Sequence, residues 1–322
     1  MKSNMKRNLF SYVAVLTFLA TLTTVAIGQA RPPIPRESQK AGIMQTVGAT
    51  DLSIVYSRPA VKGRTVFGDA PAGKTGEGTL DDGRARPAGQ ALVPFGHVWR
   101  TGANEATLFS TTDDVLVNGQ PLPAGKYSLH TIPGKDEWTI IFNKEDGQWG
   151  SFAYDAKKDA LRVKAKPEWL ADSKEFMYFR FDTVTANSTN AYLRWEKVKV
   201  PFTIEVKDVV GATMARLKDY VAAAKSDDPM PALNAASYAK ANKQTEAATK
   251  WFEMALKASD EQLKGSSNFA NLLRRVNILA GAGKTDEAIA TGERAVTVGK
   301  AEKANTAALE KRIADWKAGK VN

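Results

Sequence analysis

Apolar and polar residues alternate with a period of two through much of residues 51–207, the spacing that turns one side of a strand to a core and the other to water. The alternation runs through Leu52, Ile54 and Tyr56, through Val115 and Val117, and through 127–132, 138–142, 176–181, 191–195 and 202–206. Asn118-Gly119, Pro123-Ala124-Gly125, Pro133-Gly134 and Asp146-Gly147 supply turns between these runs. Many short strands without helices between them predict an antiparallel β-sandwich or jelly-roll rather than a parallel sheet. From Val209 the alternation stops and alanine-rich helical periodicity takes over, punctuated by Pro229 and Pro231 and later by Gly281 and Gly283. The expected fold is therefore α+β. Residues 31–50 form a linker or edge segment, 51–208 a β-sandwich domain, and 209–322 an α-helical hairpin domain.

Residues 69–91 interrupt the strand pattern. They contain Gly73, Gly76, Gly78, Gly83 and Gly89 with few apolar anchors, which predicts a mobile surface insertion, with a lid over a site as the alternative. The helical region carries an internal echo. Ala248, Phe252 and Ala255 in 243–256 are matched forty residues later by Ala288, Gly292 and Ala295 in 283–296. Small residues at such offsets let paired helices approach closely. This resembles the tetratricopeptide repeat, in two units whose spacing is longer than that family's and with Gly292 where the first unit has Phe252. The resemblance implies antiparallel hairpins and a protein partner for the helical region.

Composition narrows the setting. Lys2, Lys6 and Arg7 precede an apolar run over 9–27, followed by Gly28-Gln29-Ala30. That order reads as a secretory signal peptide over 1–30, with an uncleaved anchor as the alternative, so the expected location is periplasmic or secreted. The threonines and the serine within the run weigh against the anchor, and a cleaved chain is not integral to the membrane. Cysteine is absent, which excludes disulfides, thiolate metal sites and a lipid-modified signal cysteine. The formal charge of +10 is spread along the chain without a basic stripe interleaved with aromatics, so nucleic acid is not an expected partner.

Candidate chemistry centres on 98–107, VWRTGANEAT, where Arg100, Asn104 and Glu105 stand among apolar residues and need partners. A guanidinium matches a carboxylate and an amide can bridge both, so this cluster either holds a corner of the fold or holds a ligand. Arg58, Lys62, Arg64 and Arg100, with Tyr56 and Trp99 near them in sequence, would clamp an anion between aromatic walls if they converge. The opposing reading makes Arg58 and Arg100 buried partners of Glu105 and of backbone carbonyls, with Lys62 and Arg64 on a turn.

Three segments taken together carry a family resemblance. They are Tyr56-Ser57-Arg58-Pro59 continuing through Lys62-Gly63-Arg64 to Phe67-Gly68, then 92–107, then 123–142. In combination they resemble the exported bacterial family called domain of unknown function 2911, over roughly residues 39–207. The resemblance implies a fold and no reaction. In that family the KGR and FG motif runs almost directly into the LVP motif, and this chain departs from it by the insertion at 69–91.

The two histidines, His97 and His130, both fall in these motifs, and with Glu105 they could make a facial metal site with open positions. Their spacing lacks the helical pairing that makes such sites specific, and the resemblance implies that both positions vary, so no metal and no cofactor is expected. No cysteine or elbow serine is available as a nucleophile, and phosphate-loop and dinucleotide fingerprints are missing. The reading that results is a non-catalytic module. Its sandwich binds a small molecule, glycan or envelope component through Tyr56, Arg58, Arg64, Trp99, Arg100, Asn104 and Glu105, and its helices meet a protein. The alternative is a hydrolase or a sugar-active lyase or isomerase, with Glu105 or His130 as acid or base and Arg100 stabilising negative charge.

Overall fold

The computed structural model describes residues 34–80 and 86–320, so the signal-peptide reading of 1–30 lies outside the described residues. Among the described residues no helix is long and apolar enough to cross a membrane. Strands come first: β1 Lys40–Val47, β2 Thr50–Ser57, β3 Phe67–Gly68, β4 Val93–Pro94, β5 Thr107–Thr111, β6 Val115–Val117, β7 Gln120–Leu122, β8 Gly125–Ile132, β9 Trp138–Asn143, β10 Asp159–Ala165, β11 Glu168–Val184 and β12 Ser188–Glu205. Helices follow: α1 Val209–Ala222, α2 Met230–Ala241, α3 Thr245–Gly265, α4 Phe269–Gly281, α5 Thr285–Ala301 and α6 Ala307–Lys317. The α+β order expected from the hydrophobic pattern is the order found.

The strands form a six-stranded sheet, β1-β2-β5-β8-β9-β10, and a four-stranded sheet, β11-β12-β6-β7, both antiparallel, with the short β3-β4 pair parallel beside them. One core joins the two sheets. Leu52, Ile54, Phe109, Leu129, Ile140 and Phe142 come from the first, and Met177, Leu193, Trp195, Val200 and Ile204 from the second. The segment 31–50, expected as linker or edge, supplies β1 at the edge of the larger sheet.

The longest strand shows how side-chain parity is managed. Up to Trp195 the inward residues of β12 are odd-numbered, Ala191, Leu193 and Trp195; after Glu196 they are even-numbered, Val198, Val200, Phe202 and Ile204. Glu196 has φ of 49° and the pairing with β11 shifts on both sides of it, with the additional residues on β11, and across this bulge the inward face of β12 flips. Arg194 holds the bulge from within the fold. Its side chain is almost wholly buried and donates to the carbonyls of Glu196, Val198 and Asp172 and to the Asp172 carboxylate. This is the fully paired buried arginine that the sandwich requires, at a position the cationic motifs do not include.

The insertion at 69–91 leaves from β3 and returns into β4, which pair directly: Phe67 with Val93 and Gly68 with Pro94. The KGR and FG motif and the LVP motif are therefore neighbours in space despite the intervening residues. The excursion is also tied down. Val98 N donates to the Glu77 carbonyl (3.0 Å), and the Glu77 carboxylate accepts from Arg162 (2.7 Å).

The helices repeat at forty residues. Gln244 N donates to the Ala239 carbonyl at the turn between α2 and α3, as Lys284 N does to the Leu279 carbonyl between α4 and α5. Lys243 and Gly283 both take positive φ at those turns. The matched small positions do what their offsets predict, since Ala248, Ala255, Ala288 and Ala295 are all buried. Gly292 has its own role. A Cβ there would stand 2.9 Å from Ile313 Cδ1, so the missing side chain admits α6.

The array is joined to the sheets at α1. A side chain on Gly48, in the β1–β2 turn, would collide with Val209, the first residue of α1. Arg216 donates to Asp113 Oδ2 (2.6 Å) and to Thr112 Oγ1 (3.1 Å), and Thr50 Oγ1 donates to the same carboxylate oxygen (2.7 Å). Burial works against the Asp113 carboxylate. The hydrogen bonds from Thr50 and Arg216, the Arg216 charge and the Thr112 hydrogen bond outweigh it and hold the pKa below its ordinary 3.8. A depressed pKa stabilises the folded state above the unfolded value and loses that contribution as pH falls through the folded value. Asp113→Asn should lower stability at pH 7 by about 1 kcal/mol, limited by solvent around Arg216. The gap between variant and wild type in urea midpoint should close below about pH 4; a gap constant with pH would refute this role.

Candidate functional site

The segment 98–107 folds as a corner between the sheets. Trp99 exchanges both backbone hydrogen bonds with Thr131 of β8 (2.8 and 2.9 Å), and its indole stacks on Trp195 of β12 at 5.8 Å and 22°. The chain then turns through Thr101 and Asn104, with φ of 54° and 59°. Asparagine tolerates this region better than most residues. Thr107 Oγ1 donates to the Thr101 carbonyl (2.6 Å), and Thr107 N to the Arg100 carbonyl (3.1 Å), which closes the turn.

Within the corner Arg100 and Asn104 do meet, through the backbone of Asn104 rather than its amide. Arg100 Nη1 donates to the Asn104 carbonyl at 2.8 Å, Gly150 N donates to the same oxygen at 2.9 Å, and the Asn104 amide donates to the Ser38 carbonyl at 3.0 Å. Glu105 pairs as an isolated bridge with Trp149, and the Arg100 guanidinium lies 5.8 Å from the Phe152 ring. Arg100, Asn104 and Glu105 remain partly exposed, beside the exposed rings of Trp149 and Phe152.

The other cations do not join them. Arg58 Nε donates to the Met177 carbonyl (2.9 Å), with its guanidinium over Phe176, and Arg64 donates to the carbonyls of Val61 and Ala60 (3.1 and 2.7 Å). The backbone N–H of Lys62 donates to Glu175 Oε1 (2.8 Å). The Arg58 and Lys62 contacts fasten the turn after β2 to β11, and the Arg64 contacts close that turn on itself. Tyr56 and Trp99, expected as aromatic walls for a ligand, are buried core residues. Tyr56 packs edge-on against Phe179 at 5.0 Å, and Trp99 is committed to Trp195. Rings enclosed in the shared core offer no face to a ligand.

The histidines are separated by the roles they take. His97 is buried with Nδ1 2.9 Å from the Gly78 carbonyl, which can only accept, so Nδ1 carries the proton. His130 lies on the outer side of β8 beneath 144–158, wholly buried, 5.0 Å from the Tyr154 ring and 3.3 Å from Ser128 Oγ. Tyr154 is locked in turn. Its hydroxyl donates to Asp159 and accepts from Arg162, and burial together with Asp159 raises its pKa. Among the described residues no three acidic or histidine side chains gather as metal ligands, and His97, Glu105 and His130 do not form such a group.

Concavities also lie on the helices, the region for which the repeat resemblance implies a protein contact. A recess of about 360 Å³ spans the C-terminal ends of α2, α4 and α6, lined by Lys240, Asn277, Arg312, Trp316 and Lys320. A second, of about 350 Å³, shares Lys240 and Gly281 with it and continues toward α3. Arg312 Nη1 donates to Asn277 Oδ1 (2.9 Å), with its guanidinium 4.6 Å from the Trp316 ring, and Lys240 Nζ donates to the Gly281 carbonyl (2.7 Å). The aromatic-cation pair in Arg312-x-x-x-Trp316 is an i, i+4 signal visible in the sequence.

Two antiparallel sheets around one core, with a docked helical array after them, define the class of protein. The chain belongs to the family described as protein of unknown function (DUF2911), which matches residues 38–204 and stops just before α1. No curated protein and no solved structure is detectably similar to it.

The positive φ and the Ser38 contact give Asn104 a measurable part in stability. Asn104→Ala should cost about 2 kcal/mol, from the strained positive φ and the lost bond to Ser38. Asn104→Gly, which tolerates that φ, should cost about half as much. Urea unfolding of the two variants separates the contributions, and equal losses would show that φ plays no part.

Proposed function

We propose that this is an exported, non-enzymatic binding protein whose helical array holds an extended acidic segment of a partner protein. The observation that carries the reading is the continuous recess across α2, α4 and α6, where Lys240, Arg312 and Lys320 face a single carboxylate, Asp315, with Trp316 as an apolar anchor. The setting is basic beyond the recess, since residues 209–322 carry 18 Lys and Arg against 13 Asp and Glu. An acidic segment would gain steering from this field and a desolvated ring contact at its centre. The sheets then serve as the frame on which α1 is docked.

The catalytic alternative has less support. It needs Glu105 or His130 to exchange protons with a substrate, and His130 lies sealed beneath Tyr154. Arg100 spends one arm on a main-chain carbonyl of its own turn.

Fluorescence anisotropy with a labelled decapeptide of alternating Asp and Glu tests the proposal. Binding should weaken as salt rises, and the Arg312→Glu, Lys320→Glu double variant should lose about tenfold in affinity. A double variant that binds like wild type would remove the recess from consideration.

A further inference from the structure

A second surface, on the sheets, is built where two of the family motifs meet the start of β11 and the start of the 69–91 insertion, apart from the helical recess. Phe67 of β3 touches four tryptophans edge-on: Trp138 at 5.3 Å, Trp195 at 5.8 Å, Trp99 at 6.2 Å and Trp169 at 6.5 Å. The first three of these rings are buried. Trp169, at the start of β11, is 48% exposed. Phe95, which follows β4, stands 6.5 Å from Trp169 at 80°, so the two partly exposed rings meet at a right angle.

This corner is held in place. Trp169 Nε1 donates to the Lys135 carbonyl at 2.9 Å, which fixes the indole against the β8–β9 turn. That turn requires Gly134, where any side chain would strike the Glu137 carbonyl. Lys135 itself reaches back, with Nζ 5.9 Å from the Phe95 ring centre and 3.1 Å from Asp69 Oδ1, where the insertion begins. The pairing of β3 with β4 is what brings Asp69 and Phe95 side by side.

We infer that Phe95, Trp169, Lys135 and Asp69 form a saccharide-binding platform for a pyranose unit of a glycan. A sugar ring presents a face of C–H groups and a rim of hydroxyls, and this surface has the matching parts. The two perpendicular rings accept the apolar face and edge. The Lys135–Asp69 pair supplies a donor and an acceptor for hydroxyls. At 65% and 80% exposure this pair contributes little to folding and can trade its mutual contact for hydroxyl contacts at small cost. An apolar peptide would have to desolvate the same charges without replacing their hydrogen bonds, which disfavours it. The surface is open rather than enclosed, as an internal unit of a long glycan needs. It is independent of the helical recess, so either assignment can fail without the other.

Isothermal titration of the full chain with the β-1,4-linked tetramer of N-acetylglucosamine and with cellotetraose tests the inference. At least one should bind with a Kd at or below about 1 mM. Trp169→Ala should weaken that binding about tenfold or more, Trp169→Phe should keep most of it, and Asp69→Asn should weaken it measurably. Tyr220→Ala, an exposed ring on α1, should bind like wild type, and a thermal midpoint for each variant checks that it is folded. Failure of both tetrasaccharides to bind, or equal binding by folded Trp169→Ala, overturns the assignment. Trp169-dependent heat from an apolar decapeptide alone would give the patch to a protein partner and overturn it as well.

Discussion

The stack of Trp99 on Trp195 is the contact on which the other features depend. Trp99 is bound by its backbone to β8 of one sheet and by its ring to β12 of the other, so the corner it starts is fixed to both. Aromatic pairs of this kind contribute about 1 kcal/mol beyond the area they bury, and here the contact also sets where the chain crosses. Everything that follows within eight residues inherits that placement: the turn at Thr101, the Arg100 contact to Asn104, and the Glu105 bridge to Trp149. The polar cluster therefore takes its place in the fold from a hydrophobic contact beside it.

Phe67 carries the same influence outward. It touches both members of the stack and also Trp169 at the surface. Its strand is only two residues long, and a pair that short has no independent stability. The surrounding indoles hold β3 against β4, and that pairing lets the 69–91 excursion leave and return without parting the motifs on either side. A long insertion closed at its base costs little in loop entropy, because closure depends only weakly on length once the ends are fixed.

The legible parts of the fold are those where one strand face meets the shared core and the other meets water. β2 and β6 follow that rule, whereas β8 and β9 are buried on both faces, with His130 and Ile141 covered on the outer side. Strand β12 reads as two separate strands because its inward parity changes at Glu196, and Arg194, at a position that alternation assigns outward, is one of the most buried side chains. Strand β1 has no apolar run to mark it, since Gly42 and Gln45 interrupt KAGIMQTV and Met44 points to water. The candidate site was legible only in part. Arg100, Asn104 and Glu105 were visible as polar residues out of place. Tyr56 and Trp99, however, look the same in sequence whether they line a ligand or a core, and only the packing of Phe179 and Trp195 decides. The exposed Trp149, Phe152 and Trp169 stand in turns or at a strand start, where alternation carries no information about facing.

Burial thus sorts the aromatic residues of this chain into two groups with different work. Rings that face inward spend their area on cohesion between the sheets and cannot also meet a partner. A ring left half in water gains that area only on binding, and it binds well only if it does not have to be ordered first. Trp169 meets that condition because its N–H is already bonded to a main-chain carbonyl and Phe67 already supports it from within. Trp316 meets it on the helices through the guanidinium above it, which Asn277 holds in place. In both places the ring is supported by contacts one step deeper in the fold, and on the sheets that deeper step is the aromatic network around Trp99 and Trp195.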